Sequence, residues 1–310
     1  MCAALLASLV SLAGCNSGSR TKPSQVLSQP SSAQPSPGFA SPRDDLNREV
    51  KLSAPARRVL VIGPGADETI FALGAGARIV GRDSGADYPP AITKVPVVAD
   101  FHGPFIEACV AARPDLVLAQ GETWNSERIE AWQTKIGAPV AALVPVKVDD
   151  VQKDADKIAA WLGVAKRSLN LDPSLSDAQR GAAPTAFIEI ERSPLWTAGA
   201  NTLISDVVER GHFKNVAADV AGYKAFSKEA LLKRQPSLYI ATGKAGQEAR
   251  IVAELRRDPA LGSLNCVRGG QVLVIPGDDL LRPGPRLSLG LGALRKARSR
   301  LDAGWNTLRK

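Results

Sequence analysis

The 310-residue chain is poor in the side chains that usually do chemistry: it has two histidines, four cysteines and a single methionine. It contains no HExxH, no Walker-type phosphate loop and no Ser-His-Asp order, and two histidines leave little for acid–base work, so an enzyme is not expected. There is no CxxC pair and no His-rich tract. Cys109 and Cys266 therefore read as small buried apolar residues, and no metal site or intrinsic cofactor is expected. No block of Lys or Arg gathers the formal charge of +8, which argues against nucleic-acid binding and suits attraction to an anionic membrane face or ligand. The only uninterrupted apolar run is short and N-terminal, so no transmembrane helix is expected in the mature body. What remains is a globular composition, with 45% hydrophobic and 23% charged residues, long enough for two domains.

The apolar run, AALLASLVSLAG, has signal-peptide length and ends in small residues before Cys15. Leu12-Ala13-Gly14-Cys15 resembles a bacterial lipobox, which implies a diacylglycerol on the Cys15 thiol and firm membrane anchoring. No Lys or Arg precedes the run, a departure from the lipoprotein pattern that a start codon further upstream would explain. A tract rich in Ser, Pro, Gln and Gly follows, including SQPSSAQPSPGFASP. It has too little apolar surface to offset ordering entropy, and a flexible tether over residues 16–50 is predicted.

From residue 57 onward short β-rich runs alternate with amphipathic stretches, as in an α/β domain. RRVLVIG reads as a strand, ADETIFALGAG as a helix ending on glycine and RIVGR as the next strand. VADFHGPFIEACVAARPDLVLAQG (98–121) lies without gaps on VAGYKAFSKEALLKRQPSLYIATG (220–243), with Glu107 over Glu229, Pro114 over Pro236 and Phe101 over Tyr223. Each copy reads as an aromatic loop, a helix opened by Glu, a stopping Pro and a buried strand. Two lobes of one kind follow, at 51–147 and 171–310, joined by a helix over 148–170 whose stiffness keeps lobe motion small.

These segments in order, ETIFALGAGARIVGR, DYPP, RPDLVLA, WTAGANTLISDVVERGHFKNVAAD and VLVIPGDDLLRPGPRLSLGL, resemble the cobalamin, haem and ferric-siderophore binding proteins of ABC importers. The resemblance implies an α/β fold of two Rossmann-like lobes joined by a single long helix, the class III periplasmic binding protein arrangement. It also implies a monomer in the periplasm or at the cell surface that captures a bulky metal chelate and delivers it to an ABC permease dimer with its ATPase subunits. In the family one glutamate per lobe docks on permease arginines, and the matching positions are Glu107 and Glu229.

The resemblance places ligand-binding residues at Phe101, Trp196, Tyr223, Arg282 and Asp278, with Asp279 beside the last; Tyr88 and Trp124 are weaker candidates. Flat side chains would stack on the chelate and charged ones orient it. His102 adjoins Phe101 and is a conceivable ligand to a chelated metal, although a solvated or capping role is the simpler reading. His212 reads as structural. Tyr223 keeps haem open as a ligand. Cobalamin or another corrinoid is favoured, because the cleft loops read as aromatic and sparsely basic. Two alternatives stand beside transport: a chelatase-like enzyme of the same two-lobe fold, and a surface interaction protein without an importer. A dinucleotide site is disfavoured, because in GPGADE the third glycine of the fingerprint is replaced by Glu68.

Overall fold

The computed structural model describes residues 41–122, 124–171 and 182–304. Its first strand, β1 (Val59–Ile62), is buried at every position, as a parallel strand covered on both faces must be. It sits within a sheet with β2 (Ile79–Asp83), β3 (Val97–Asp100), β4 (Gly103–Pro104), β5 (Leu116–Gln120) and β6 (Val140–Leu143). The order is β4-β3-β2-β1-β5-β6, parallel except for β4. The helices of this lobe are α1 (Ala66–Ala72), α2 (Ile106–Ala111) and α3 (Ser126–Ile136). The chain leaves β1 first toward β2 on one side and returns to β5 on the other. That reversal opens a crevice at the carboxyl ends of β1 and β5, where ligands of open α/β sheets bind.

The lobes are joined by α4 (Val148–Leu162), about 22 Å long at 1.5 Å per residue. Val148, Val151 and Ala155 belong to the core of the second lobe, whereas Ile158, Ala159, Trp161 and Leu162 belong to that of the first. One amphipathic helix is thus shared by two cores. It is shorter than the 148–170 expected, because Gly163 takes a left-handed conformation with φ 59° and ends it. Leu169 and Leu171 beyond it turn into the second lobe's core.

That lobe holds β7 (Thr185–Glu189), β8 (Glu191–Arg192), β9 (Leu195–Ala198), β10 (Lys214–Asn215), β11 (Tyr223–Ala225), β12 (Leu238–Gly243) and β13 (Val272–Pro276). A parallel sheet of order β10-β7-β12-β13 has the same kind of switch point, between β7 and β12, and a small antiparallel sheet β11-β9-β8 lies beside it. Its helices are α5 (Leu203–Arg210), α6 (Lys228–Arg234), α7 (Glu248–Arg257), α8 (Asn265–Arg268), α9 (Gly277–Leu280) and α10 (Leu287–Asp302). Cys109 and Cys266 are free and buried, and burial pushes both thiols up to about 11.

Cys15 and the tract to residue 40 lie outside the described residues. Residues 41–50, assigned to the tether from composition, instead pack on the first lobe and close its sheet edge. The Asp44 and Asp45 carboxylates accept the N–H groups of Ala142 and Val144 at 3.1 and 2.5 Å, and Arg48 donates to Val140 O at 2.6 Å. Val50 is buried. Composition missed this because the strap adds little apolar surface, Val50 and Leu46, and is otherwise held by carboxylates and one guanidinium on the open backbone of β6.

Candidate functional site

Two cavities adjoin at the junction of the lobes and share Ser84 and Gly85, the first at the switch point of the first lobe and the second beside the carboxyl ends of β12 and β13. The first, about 540 Å³, lies at the carboxyl ends of β1, β2, β3 and β5 and is lined by Pro64, Asp83, Asp100, Phe101, His102, Gln120 and Trp124 among others. The close backbone at its floor needs glycine at 63, where φ is +93° and a Cβ would lie 2.1 Å from Gln120 O. Asp83 accepts the Gly85 N–H at 2.8 Å and so shapes the turn beneath the cavity.

Phe101 is 82% exposed and its ring meets that of His102 at 3.8 Å between centroids. Trp124 packs edge-on against Trp132 at 5.0 Å, under the Arg128 guanidinium. Trp124 Nε1 and Gln120 Oε1 are buried without a hydrogen-bond partner among the described residues.

The second cavity, about 590 Å³, lies between the lobes and is lined by Asp87 from the first and Lys244, Asp278, Asp279, Arg282 and Arg286 from the second. Arg282 donates to Asp87 at 2.8 Å and pairs with Asp278 at 2.6 Å. Arg286 forks onto Glu68, with donor distances from 2.6 to 3.1 Å, and stacks over Tyr88 at 4.8 Å. Burial pushes the Glu68 carboxyl up and the guanidinium draws it partly back; Arg286 is in turn held above its usual value by that carboxylate, against burial. Glu68, which in the sequence only spoiled a dinucleotide fingerprint, is therefore a buried interlobe anchor. Arg286 was not singled out in the sequence; its place in RPGPR, four residues after Arg282, was the available signal.

The lobes also meet by backbone. Gln120 Nε2 donates to Pro283 O at 2.9 Å, and Gly65 and Gly284 approach so closely that a Cβ on either would lie 2.9 Å from the other segment's carbonyl oxygen.

Phe101 and His102 line the first cavity and Arg282, Asp278 and Asp279 the second; of the weaker candidates Trp124 lines the first. Tyr223 lines neither. Its hydroxyl donates to Glu122, two residues beyond the opposite lobe's β5, in a very short contact, and Glu122 also accepts the Leu203 N–H at 3.4 Å. Burial and then the Glu122 charge push the Tyr223 phenol far up, while burial raises Glu122 despite that hydrogen bond. Trp196 is half-buried within β9, paired with Glu191 and Ala225, and is not brought to either cavity. His212 has a buried Nε2 with no hydrogen-bond partner among the described residues and sits at φ 63° after α5. Glu107 and Glu229 are both exposed, each in the first turn of its helix, and Ser227 Oγ donates to Glu229 at 2.6 Å and lowers its carboxyl.

This architecture has counterparts among known proteins. An uncharacterized ABC transporter substrate-binding lipoprotein of Bacillus subtilis is 28% identical over 314 aligned positions, covering 95% of each chain. The vitamin B12-binding protein of Salmonella choleraesuis is 31% identical over 205 positions, 63% of this chain and 76% of its own. The crystal structure of a periplasmic haem-binding protein from Pseudomonas aeruginosa superposes with a TM-score of 0.65 at 26% identity, covering 78% of this chain and 92% of that one. The family model for periplasmic binding proteins matches residues 59–278, from the first strand of one lobe to the charged turn of the other, and the chain belongs to that family.

Proposed function

We propose that the chain is the substrate-binding component of an ABC importer, exported and held at the membrane by lipid on Cys15. It captures a bulky metal chelate between its lobes and hands it, unchanged, to a permease dimer with ATPase subunits. A corrinoid such as cobalamin is the favoured ligand, with haem or a ferric siderophore next. The observation that carries this reading is the pair of adjoining cavities between the lobes, one of them edged by the exposed rings of Phe101 and His102 and the half-buried ring of Trp124. Flat apolar side chains with a few polar groups are what a conjugated ligand requires. The vitamin B12-binding relative supports the corrinoid. Haem has less support here, because Tyr223, the residue that would ligate iron, lines neither cavity.

Glu107 and Glu229 are proposed as the docking anchors, one per lobe. A two-fold permease requires equivalent contacts on both sides, and both carboxylates stand exposed at repeat-related positions.

The test is calorimetric titration of the body from residue 41, so that the strap is retained, with cyanocobalamin, haemin and ferric siderophores. Submicromolar binding of one of them is expected. Binding of none would overturn the chelate reading.

A further inference from the structure

We infer that the charged half of the cleft sorts ligands by charge, accepting neutral or cationic chelates and rejecting polyanionic ones; this deepens, and rests on, the chelate-binding reading above. Arginines are the usual receptors for carboxylate and catecholate anions because their fork of donors matches paired oxygens. Here both cleft arginines are already taken. Arg286 is bound by Glu68 and lies 3.6 to 3.9 Å from Asp87, Asp278 and Asp279, and Arg282 is held between Asp87 and Asp278.

Exposure then decides which charge a ligand meets. The side chains of Arg282 and Arg286 are only 12% and 17% exposed, whereas those of Asp87 and Asp278 are 59% and 42% exposed. The carboxylates lie over the guanidiniums, one contributed by each lobe. Four acids (Glu68, Asp87, Asp278, Asp279) surround two arginines, and Lys244 is the one cation lining this cavity with no ion pair among the described residues. The aromatic cavity offers no compensation: it is lined by Asp83 and Asp100 but by no Lys or Arg. A polyanion must therefore displace Asp87 or Asp278 and still face the remaining carboxylates. A ligand rich in neutral amides meets no such cost and finds acceptors.

The experiment compares the wild-type body with Asp87→Asn/Asp278→Asn. Ligands are cyanocobalamin (neutral overall), haemin (two propionates), a ferric tris-catecholate (trianionic) and the anionic fluorophore anilinonaphthalene sulfonate, at two salt concentrations. The substitutions are expected to tighten binding of the anionic probes by about tenfold or more at low salt, with the gain shrinking as salt rises. Cyanocobalamin, which brings no net charge to the removed ones, should gain none of this tightening, so the ratio of anionic-probe to cyanocobalamin affinity should rise by about tenfold or more at low salt. Unchanged or weaker anion binding by the variant would overturn the inference, as would wild-type protein holding the tris-catecholate as tightly as cyanocobalamin. Should the double variant fold poorly, Asp87→Asn alone, at the more exposed position, is read in the same way. If no chelate binds either protein, the chelate reading falls, while the fluorophore still decides whether the charge screen exists.

Discussion

The two copies of the internal repeat fold alike in their second halves and differently in their first. In both, a short helix is stopped by a residue in the left-handed region, Arg113 at φ 45° and Gln235 at φ 43°, just before Pro114 and Pro236. A fully buried strand start follows, at Leu116 and at Leu238. Upstream the copies part. Val98 and Ala99 lie in β3 of the parallel sheet, whereas Val220 and Ala221 lie outside the named strands, Ala221 making only a bridge to Ala200. Phe101 stands open in the aromatic cavity, whereas its counterpart Tyr223 is a strand residue tied across the cleft to Glu122. A hydroxyl on a half-buried ring needs a partner, and the partner it found made it a latch. Equivalent positions in a repeat thus share a backbone role more readily than a chemical one.

Substitution can break this comparison or sharpen it. The largest effect is expected from Glu107→Ala combined with Glu229→Ala: transport into vesicles bearing the importer should fall at least about tenfold while ligand affinity in solution is unchanged, as loss of two charged anchors requires. Unimpaired transport would remove the docking role from both lobes, and the single variants show whether the anchor pre-set by Ser227 matters more.

Next in size, Phe101→Ala should weaken ligand binding by about tenfold, the loss expected of one exposed stacking ring. Trp196→Ala, inside β9, should change affinity by less than about twofold, because it touches neither cavity. Equal losses in isothermal titration would mean that the second lobe does present an aromatic face to the ligand.

The smallest effect is expected from Tyr223→Phe, read by urea denaturation. Removing the phenol leaves a half-buried carboxylate short of a donor and should cost about 1–2 kcal/mol at neutral pH. The pH dependence follows from the raised Glu122 carboxyl. A folded-state pKa above the unfolded one means that the native protein holds the extra proton, so this group's contribution is fully present below the unfolded value and is lost as pH rises through the folded value. The tyrosine limits that rise, so its removal should destabilise the protein more at pH 7 than at pH 4.5. An equal loss at both would show that the hydroxyl does not act through Glu122.

What could be read in the sequence was the part set by local pattern. The β1 run, the helix that follows it, the start of α4 and the helix–Pro–strand unit of both repeat copies depend on apolar period and on the backbone limits of Gly and Pro. Phe101 and Arg282 were reached through the family resemblance, since they stand in loops at recognisable places in the order of elements. The end of α4 was overrun because the apolar positions continue past Gly163 to Leu169 and Leu171, which serve another lobe's core. The strap was missed because its polar groups bond to backbone, which leaves no trace in composition.

The amino-acid sequence by itself determined the two-lobe plan, the shared helix and the carboxylates at the head of each repeat's helix, since each rests on periodicity or on residues within a turn of one another. Which side chains line the cavities between the lobes was decided only by tertiary structure. Glu68 and Arg286 are 218 residues apart, Arg282 and Asp87 195, and Tyr223 and Glu122 101. Charge pairs and hydroxyl partners at such separations are chosen by the packing of one lobe on the other, because every Asp or Glu is an equally good partner until burial removes water from one of them.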